Sequence, residues 1–114
     1  MIYQTQARHA EAVATLDSLL ELDPRHPGAL HRRALSRSEL GDSNGALVDY
    51  ARAIELQPRN LGRVYADRGA LLVEFARYAQ AFGDLDRALQ LGGLSPNRTE
   101  ETRRLREQAR AHLR

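Results

Sequence analysis

Cysteine is absent from this 114-residue chain, which excludes a disulfide scaffold, an iron–sulfur site, a zinc ribbon and a thiol nucleophile. Tryptophan is absent as well, and aromatics make up only 5%. A core must therefore come from Ala, Leu and other small or aliphatic side chains packed at close approach, which favours helices over a β-sandwich. Lysine is missing too: all 17 basic residues are Arg, set against 15 acids for a net charge of +2. A phosphate-binding Gly-rich loop completed by Lys is thereby ruled out. The opening Met1-Ile2-Tyr3-Gln4-Thr5-Gln6 has no basic region followed by an apolar run, and no stretch nears the roughly 18 apolar residues of a membrane span. Together with 42% apolar and 28% charged residues, these absences predict a single soluble, cytoplasmic domain over 1–114 with no membrane association.

What is present is a repeat. Leu22-Asp23-Pro24-Arg25-His26 and Leu56-Gln57-Pro58-Arg59-Asn60 lie 34 residues apart, and Ala12, Leu16 and Leu19 recur as Ala46, Tyr50 and Ala53. The next copy is offset by 35: Arg33-Ala34 becomes Arg68-Gly69, Ala46 becomes Ala81, Asp49 becomes Asp84, Ala53 becomes Ala88 and Leu56 becomes Leu91. One extra residue near Asn60-Leu61-Gly62 accounts for the shift. Within a period the apolar residues recur at three- and four-residue spacing, the mark of an amphipathic helix. Gly41-Asp42-Ser43-Asn44-Gly45 breaks the pattern: Gly41 can end one helix in a left-handed conformation, and Asp42 or Ser43 can cap the next. Helices are predicted near 8–22, 28–40, 43–56, 61–75, 78–91 and 98–113, and no strand is needed.

Leu30, Ala34, Ala46, Tyr50, Ala53 and Pro58, with Leu40-Gly41-Asp42 at the turn, fill the pattern of the tetratricopeptide repeat family. Tyr65, Gly69, Leu72, Tyr78, Ala81, Leu85 and Ala88 do so again, with Gly93 where the family has Pro. The sequence thus resembles that family over about 90 residues. The resemblance implies an all-α, right-handed superhelix of antiparallel helix pairs that binds protein segments on its concave side. The expected organisation is a partial repeat at 1–26, repeats at 27–60 and 61–93, and a capping helix at 94–114. Asn97-Arg98-Thr99-Glu100 reads as the capping box of that last helix, with Thr102, Leu105, Ala109, His112 and Leu113 as its apolar stripe.

Catalysis finds no support. Ser18, Ser36, Ser38, Ser43 and Ser95 sit in no nucleophile elbow, and His9, His26, His31 and His112 lack the i, i+4 spacing of a metal site. No enzyme activity, cofactor or metal is expected. Arg33 and Arg68 are each followed 16 residues later by Asp49 and Asp84, so an Arg–Asp bridge within each helix pair is predicted; Thr15 stands at the acid's place in the first unit. The functional expectation rests on the concave side. Gly28, His31, Arg32, Leu35, Ser38 and Glu39, and 35 residues on Arg63, Ala66, Asp67, Ala70, Val73 and Glu74, are predicted to line a groove for a peptide with polar and apolar contacts. Chaperone-binding members of the family clamp a carboxylate with clustered Lys and Asn, and these groove residues include neither.

The tail from Arg98 to Arg114 holds six Arg against Glu100, Glu101 and Glu107. Glu100 with Arg104, and Glu107 with Arg103 or Arg110, offer neutralising neighbours, and no aromatic is interleaved, so nucleic-acid binding is the lesser alternative. An accessory role beside a larger enzyme is another. Val13, Leu16, Leu19 and Leu20, with Ile2 and Tyr3 nearby, form an apolar helix for which a homodimer, or an upstream segment that covers it, is the expectation.

Overall fold

The structure is a computed structural model that describes residues 2–114, with side chains from Gln4 onward. Among these residues all regular structure is helical: α1 (Ile2–Leu22), α2 (Pro27–Glu39), α3 (Ser43–Glu55), α4 (Leu61–Glu74), α5 (Tyr78–Leu91) and α6 (Pro96–Ala111). The chain divides into two compact units, Met1–Pro58 with α1 to α3 and Arg59–Arg114 with α4 to α6.

In the first unit α2 packs on both α1 and α3. Local chemistry sets its ends. His26 caps α2 by accepting the Ala29 amide on Nδ1 at 2.9 Å, and Pro27 stands in the first turn where no amide is needed. Gly41, at φ +85°, closes α2, with its own amide donating to the Ser38 carbonyl and that of Asp42 to Arg37. Asp42 then accepts the Gly45 amide at 3.0 Å and opens α3. The turn read from Gly41-Asp42 is therefore the observed one. Leu30 and Tyr50 are fully buried around Ala34, Ala46 and Ala53, each large side chain contributing about 1.5–3 kcal/mol on removal from water.

The second unit packs α5 on α4 and α6, with α4 also reaching α6. Val64, Leu85, Ala81 and Ala88 are fully buried. Gly69 is required there: an added Cβ would fall 2.7 Å from Leu85 Cγ.

Two boundaries depart from the sequence reading. α1 is continuous from Ile2 instead of starting near residue 8, because the positions equivalent to the Gly41-Asp42 turn hold Ala7-Arg8, which neither adopt a left-handed turn nor cap a helix. α6 opens at Pro96, capped by Ser95, whose Oγ accepts the Arg98 amide at 3.2 Å, so Asn97 lies inside the helix and forms no capping box.

The predicted Arg–Asp bridges form in both units. Arg33 donates Nε to Asp49 Oδ2 at 2.9 Å and Nη2 to Oδ1 at 2.8 Å; Arg68 repeats this on Asp84 at 2.7 and 2.8 Å. The first is the more elaborate, since Arg33 also reaches Asp17 of α1 at 2.8 Å and Arg37 joins Asp49 at 3.0 Å. Asp49 is only 1% exposed, so these are buried clips, not surface pairs. The hydrogen bonds to Asp49 and Asp84 hold both guanidinium groups above their ordinary pKa against the opposing effect of burial.

Candidate functional site

The residues expected to line a groove have different fates in each unit. On α2, Arg32, Leu35 and Glu39 are exposed and Ser38 half-buried, whereas His31 is buried at 5% with its ring 6.2 Å from that of Tyr50. His31 is thus a core residue, turned inward because it falls on the stripe that carries Leu30 and Ala34. On α4, Arg63 and Glu74 are exposed and Ala70 half-buried, whereas Val73 is buried at 8%. Asp67 is held by Arg98 reaching across from α6, an arrangement invisible without the fold.

Two cavities mark where the exposed residues open to solvent. In the first unit, Ala12, Thr15 and Leu16 of α1 face Arg32, Leu35 and Ser36 of α2 across about 430 Å³. Leu16, read as part of a self-association surface, is therefore brought together with Arg32 and Leu35, read as groove. Val13 and Leu16 are half-buried and Leu19 is 38% exposed, but Leu20 is 7% exposed and belongs to the core, which narrows the apolar face of α1. The side chains of Ile2 and Tyr3 lie outside the described residues. In the second unit, Arg63 and Arg98 line about 300 Å³ together with Gly93, Leu94 and Ser95.

The charged tail is largely engaged within its own unit. Arg98 bridges Asp67 and Glu101, and Arg106 reaches Asp86 at 3.1 Å. Arg103 stands 3.8 Å from Glu100, and Arg110 3.9 Å from Glu107; Glu100 pairs with Arg103 in place of the anticipated Arg104. Thr102 and Ala109 form the buried stripe, and His112 stacks on Tyr78 at 3.9 Å, leaving Leu113 exposed. No grouping of His, Asp or Glu that could hold a metal occurs among the described residues.

The family model of the tetratricopeptide repeat matches residues 1–26 and 27–60, more than half of the chain. Human tetratricopeptide repeat protein 13 is 35% identical over 85 residues, 75% of this chain and 10% of that protein. The mouse FK506-binding protein-like is 37% identical over 49 residues, 43% of this chain and 14% of that protein. The chain thus spans only a small part of the length of either relative. Among solved structures, the first such domain of Spaghetti (RPAP3) bound to the HSP90 peptide SRMEEVD is 28% identical, with a TM-score of 0.78 over 96% of this chain and 85% of that one. The human RPAP3 domain in solution is 27% identical with a TM-score of 0.79 over the same shares. A 34-residue helix–turn–helix period with small residues at its crossings, the family match and the common fold lead to one conclusion: this chain belongs to the tetratricopeptide repeat family.

Proposed function

We propose that the chain is a non-enzymatic protein-interaction module that binds protein segments through exposed side chains, in the first unit Arg32, Leu35 and Glu39 of α2 and in the second Arg63 and Glu74 of α4. The observation that carries this reading is the contrast in how charge is used. Asp49, Asp84, Arg33 and Arg68 are spent on buried clips, whereas Arg32 is exposed and fronts a cavity with the half-open Leu35. A side chain with a polar head beside an apolar wall is the combination a mixed polar and apolar segment requires. The RPAP3 neighbour bound to an HSP90 peptide supports a peptide partner. The carboxylate clamp that some family members use is not part of the proposal, because no Lys exists in this chain to build it. A cytoplasmic setting belongs to the same proposal, and among the described residues no helix is long and apolar enough to cross a membrane.

The test is calorimetry on a segment selected from a peptide array, with the variants Arg32→Glu and Arg63→Glu. Because both side chains are exposed, each substitution should weaken binding about 10-fold while helicity and melting stay as in the parent. Parental affinity in the double variant would remove the reading.

A further inference from the structure

The turn that opens α3 holds a side-chain amide whose reactivity the fold restrains. Asn44 is exposed in the first turn of α3 and is followed by Gly45, the sole Asn–Gly pair in the sequence; Asn60 and Asn97 precede Leu61 and Arg98. Deamidation runs fastest at Asn–Gly pairs, because glycine carries no Cβ to keep its own nitrogen from the preceding side-chain carbonyl carbon. In that reaction the Gly45 nitrogen loses its proton to solvent base and bonds to Asn44 Cγ, the Cγ–Nδ2 bond breaks, and ammonia leaves. Water then opens the five-membered imide at one carbonyl or the other, giving Asp or isoaspartate. No oxidant or cofactor is needed.

The structure opposes ring closure in two ways. Closure needs a ψ at Asn44 outside the helical range, and Asn44 lies within α3. The nucleophile is also the capped amide: Gly45 donates its N–H to Asp42 Oδ1 at 3.0 Å. Removing that proton would set a nitrogen anion against a carboxylate. Asp42 is fixed for this role, since its carbonyl accepts the Ala46 amide at 3.0 Å and Arg37 Nε stands 3.8 Å from its Oδ2. Cap and glycine also require each other, because a Cβ on Gly45 would fall 2.8 Å from Asp42 Cγ. The cap thus demands the glycine that makes Asn44 reactive, and shields it. In the second unit the positions 35 residues on are Ala79 and Gln80, and among the described residues Arg77 supplies no side-chain cap to α5.

We propose that Asn44 is a deamidation site gated by the Asp42 cap, with each opening of the first turn of α3 exposing the Gly45 amide to ring closure. The isoaspartyl product routes the main chain through the former side chain and adds a methylene before the Gly45 nitrogen. That displaces Asp42 relative to Ala46 and Asp49, which are 0% and 1% exposed and have no room to follow. Arg37 pairs with both Asp42 and Asp49, so the change reaches the buried clip. Deamidation therefore loosens the α2–α3 pair and leaves the α4–α5 pair as it was.

Peptide-mapping mass spectrometry of the whole chain, incubated at mildly alkaline pH, tests this. Asn44 should convert to the acid while Asn60 and Asn97 remain amides. Unfolding the chain in denaturant should speed conversion of Asn44 about 10-fold, and Asp42→Ala should speed it about 5-fold in the folded chain with an unaltered circular dichroism spectrum. Asp42→Ser, which restores a capping oxygen, should bring the rate back toward that of the parent. In the isolated isoaspartyl form, amides from Ala46 to Tyr50 should undergo hydrogen exchange about 10-fold faster than in the parent, with those from Ala81 to Leu85 unchanged. An intact Asn44 in the folded chain after the time that converts the unfolded one, equal conversion of the three asparagines, a rate indifferent to Asp42→Ala, or unaltered exchange in the isoaspartyl form would each overturn the proposal.

Discussion

The α2–α3 and α4–α5 pairs are built on one plan with different tolerances. Each is clipped by a bidentate Arg–Asp pair at the same register. In the first pair Asp49 takes two arginines and Arg33 takes two acids, whereas among the described residues Arg68 pairs with Asp84 alone, with the Tyr65 ring 5.6 Å from its guanidinium carbon. The first pair accepts Ala34 at its crossing; the second needs Gly69 because Leu85 presses against it. The turn joining the first pair uses Gly41 at φ +85°, and the one joining the second makes Ala76 adopt φ +57°. The difference teaches that a repeat fixes the positions of a clip, a crossing and a turn, while neighbouring side chains decide how much each contributes.

The largest expected effect breaks the clips. Asp49→Ala leaves Arg33 and Arg37 without their shared acid and should cost about 3–5 kcal/mol in chemical denaturation. Asp84→Ala, which strands a single and more exposed Arg, should cost measurably less; equal losses would mean that the added partners of the first clip contribute nothing. Next, Gly69→Ala should destabilise by about 1–3 kcal/mol through contact with Leu85, and pairing it with Leu85→Val should recover part of the loss. A smaller effect of opposite sign is expected at the turn. Ala76→Gly relieves a left-handed alanine and should stabilise by about 0.5–1 kcal/mol, visible as a raised Tm, whereas Gly41→Ala should be unfavourable by a similar amount.

The smallest effect is a flat pH profile. Arg33 and Arg68 have folded-state pKa values raised above their unfolded ones. Their contribution is therefore complete below the ordinary guanidinium range and is lost only as pH climbs through the raised values. The stability difference between the parent and Asp49→Ala should stay constant from about pH 7 to 10, and a steady decline measured by denaturation over that span would contradict the clip's origin in Arg.

Much of this was legible in the sequence because it depends on local spacing. The 34-residue offset, the Gly41-Asp42 turn and the 16-residue interval from Arg33 to Asp49 are all functions of position along one or two adjacent helices. The start of α6 could have been read from Ser95-Pro96, a cap followed by a first-turn proline, and the continuity of α1 from the lack of any glycine at Ala7-Arg8. Other features needed the fold. Arg98 of α6 occupies Asp67 across 31 residues, so no helical periodicity reveals that Asp67 is taken. Asp17 joins the first clip from α1, a helix whose own repeat equivalent in α3, Ala51, carries no charge. His31 and Val73 fall at the margin between packing stripe and open face, where periodicity alone does not decide burial.

The central claim is that the repeat positions buried in α3 and α5 are more exposed at Ala12, Thr15 and Leu16 of α1 among the described residues. Residue-level hydrogen exchange tests it most directly, because protection reports cover. The account predicts that amides from Ala12 to Leu16 exchange faster than those from Ala46 to Tyr50. Equal protection of the two stretches would contradict it.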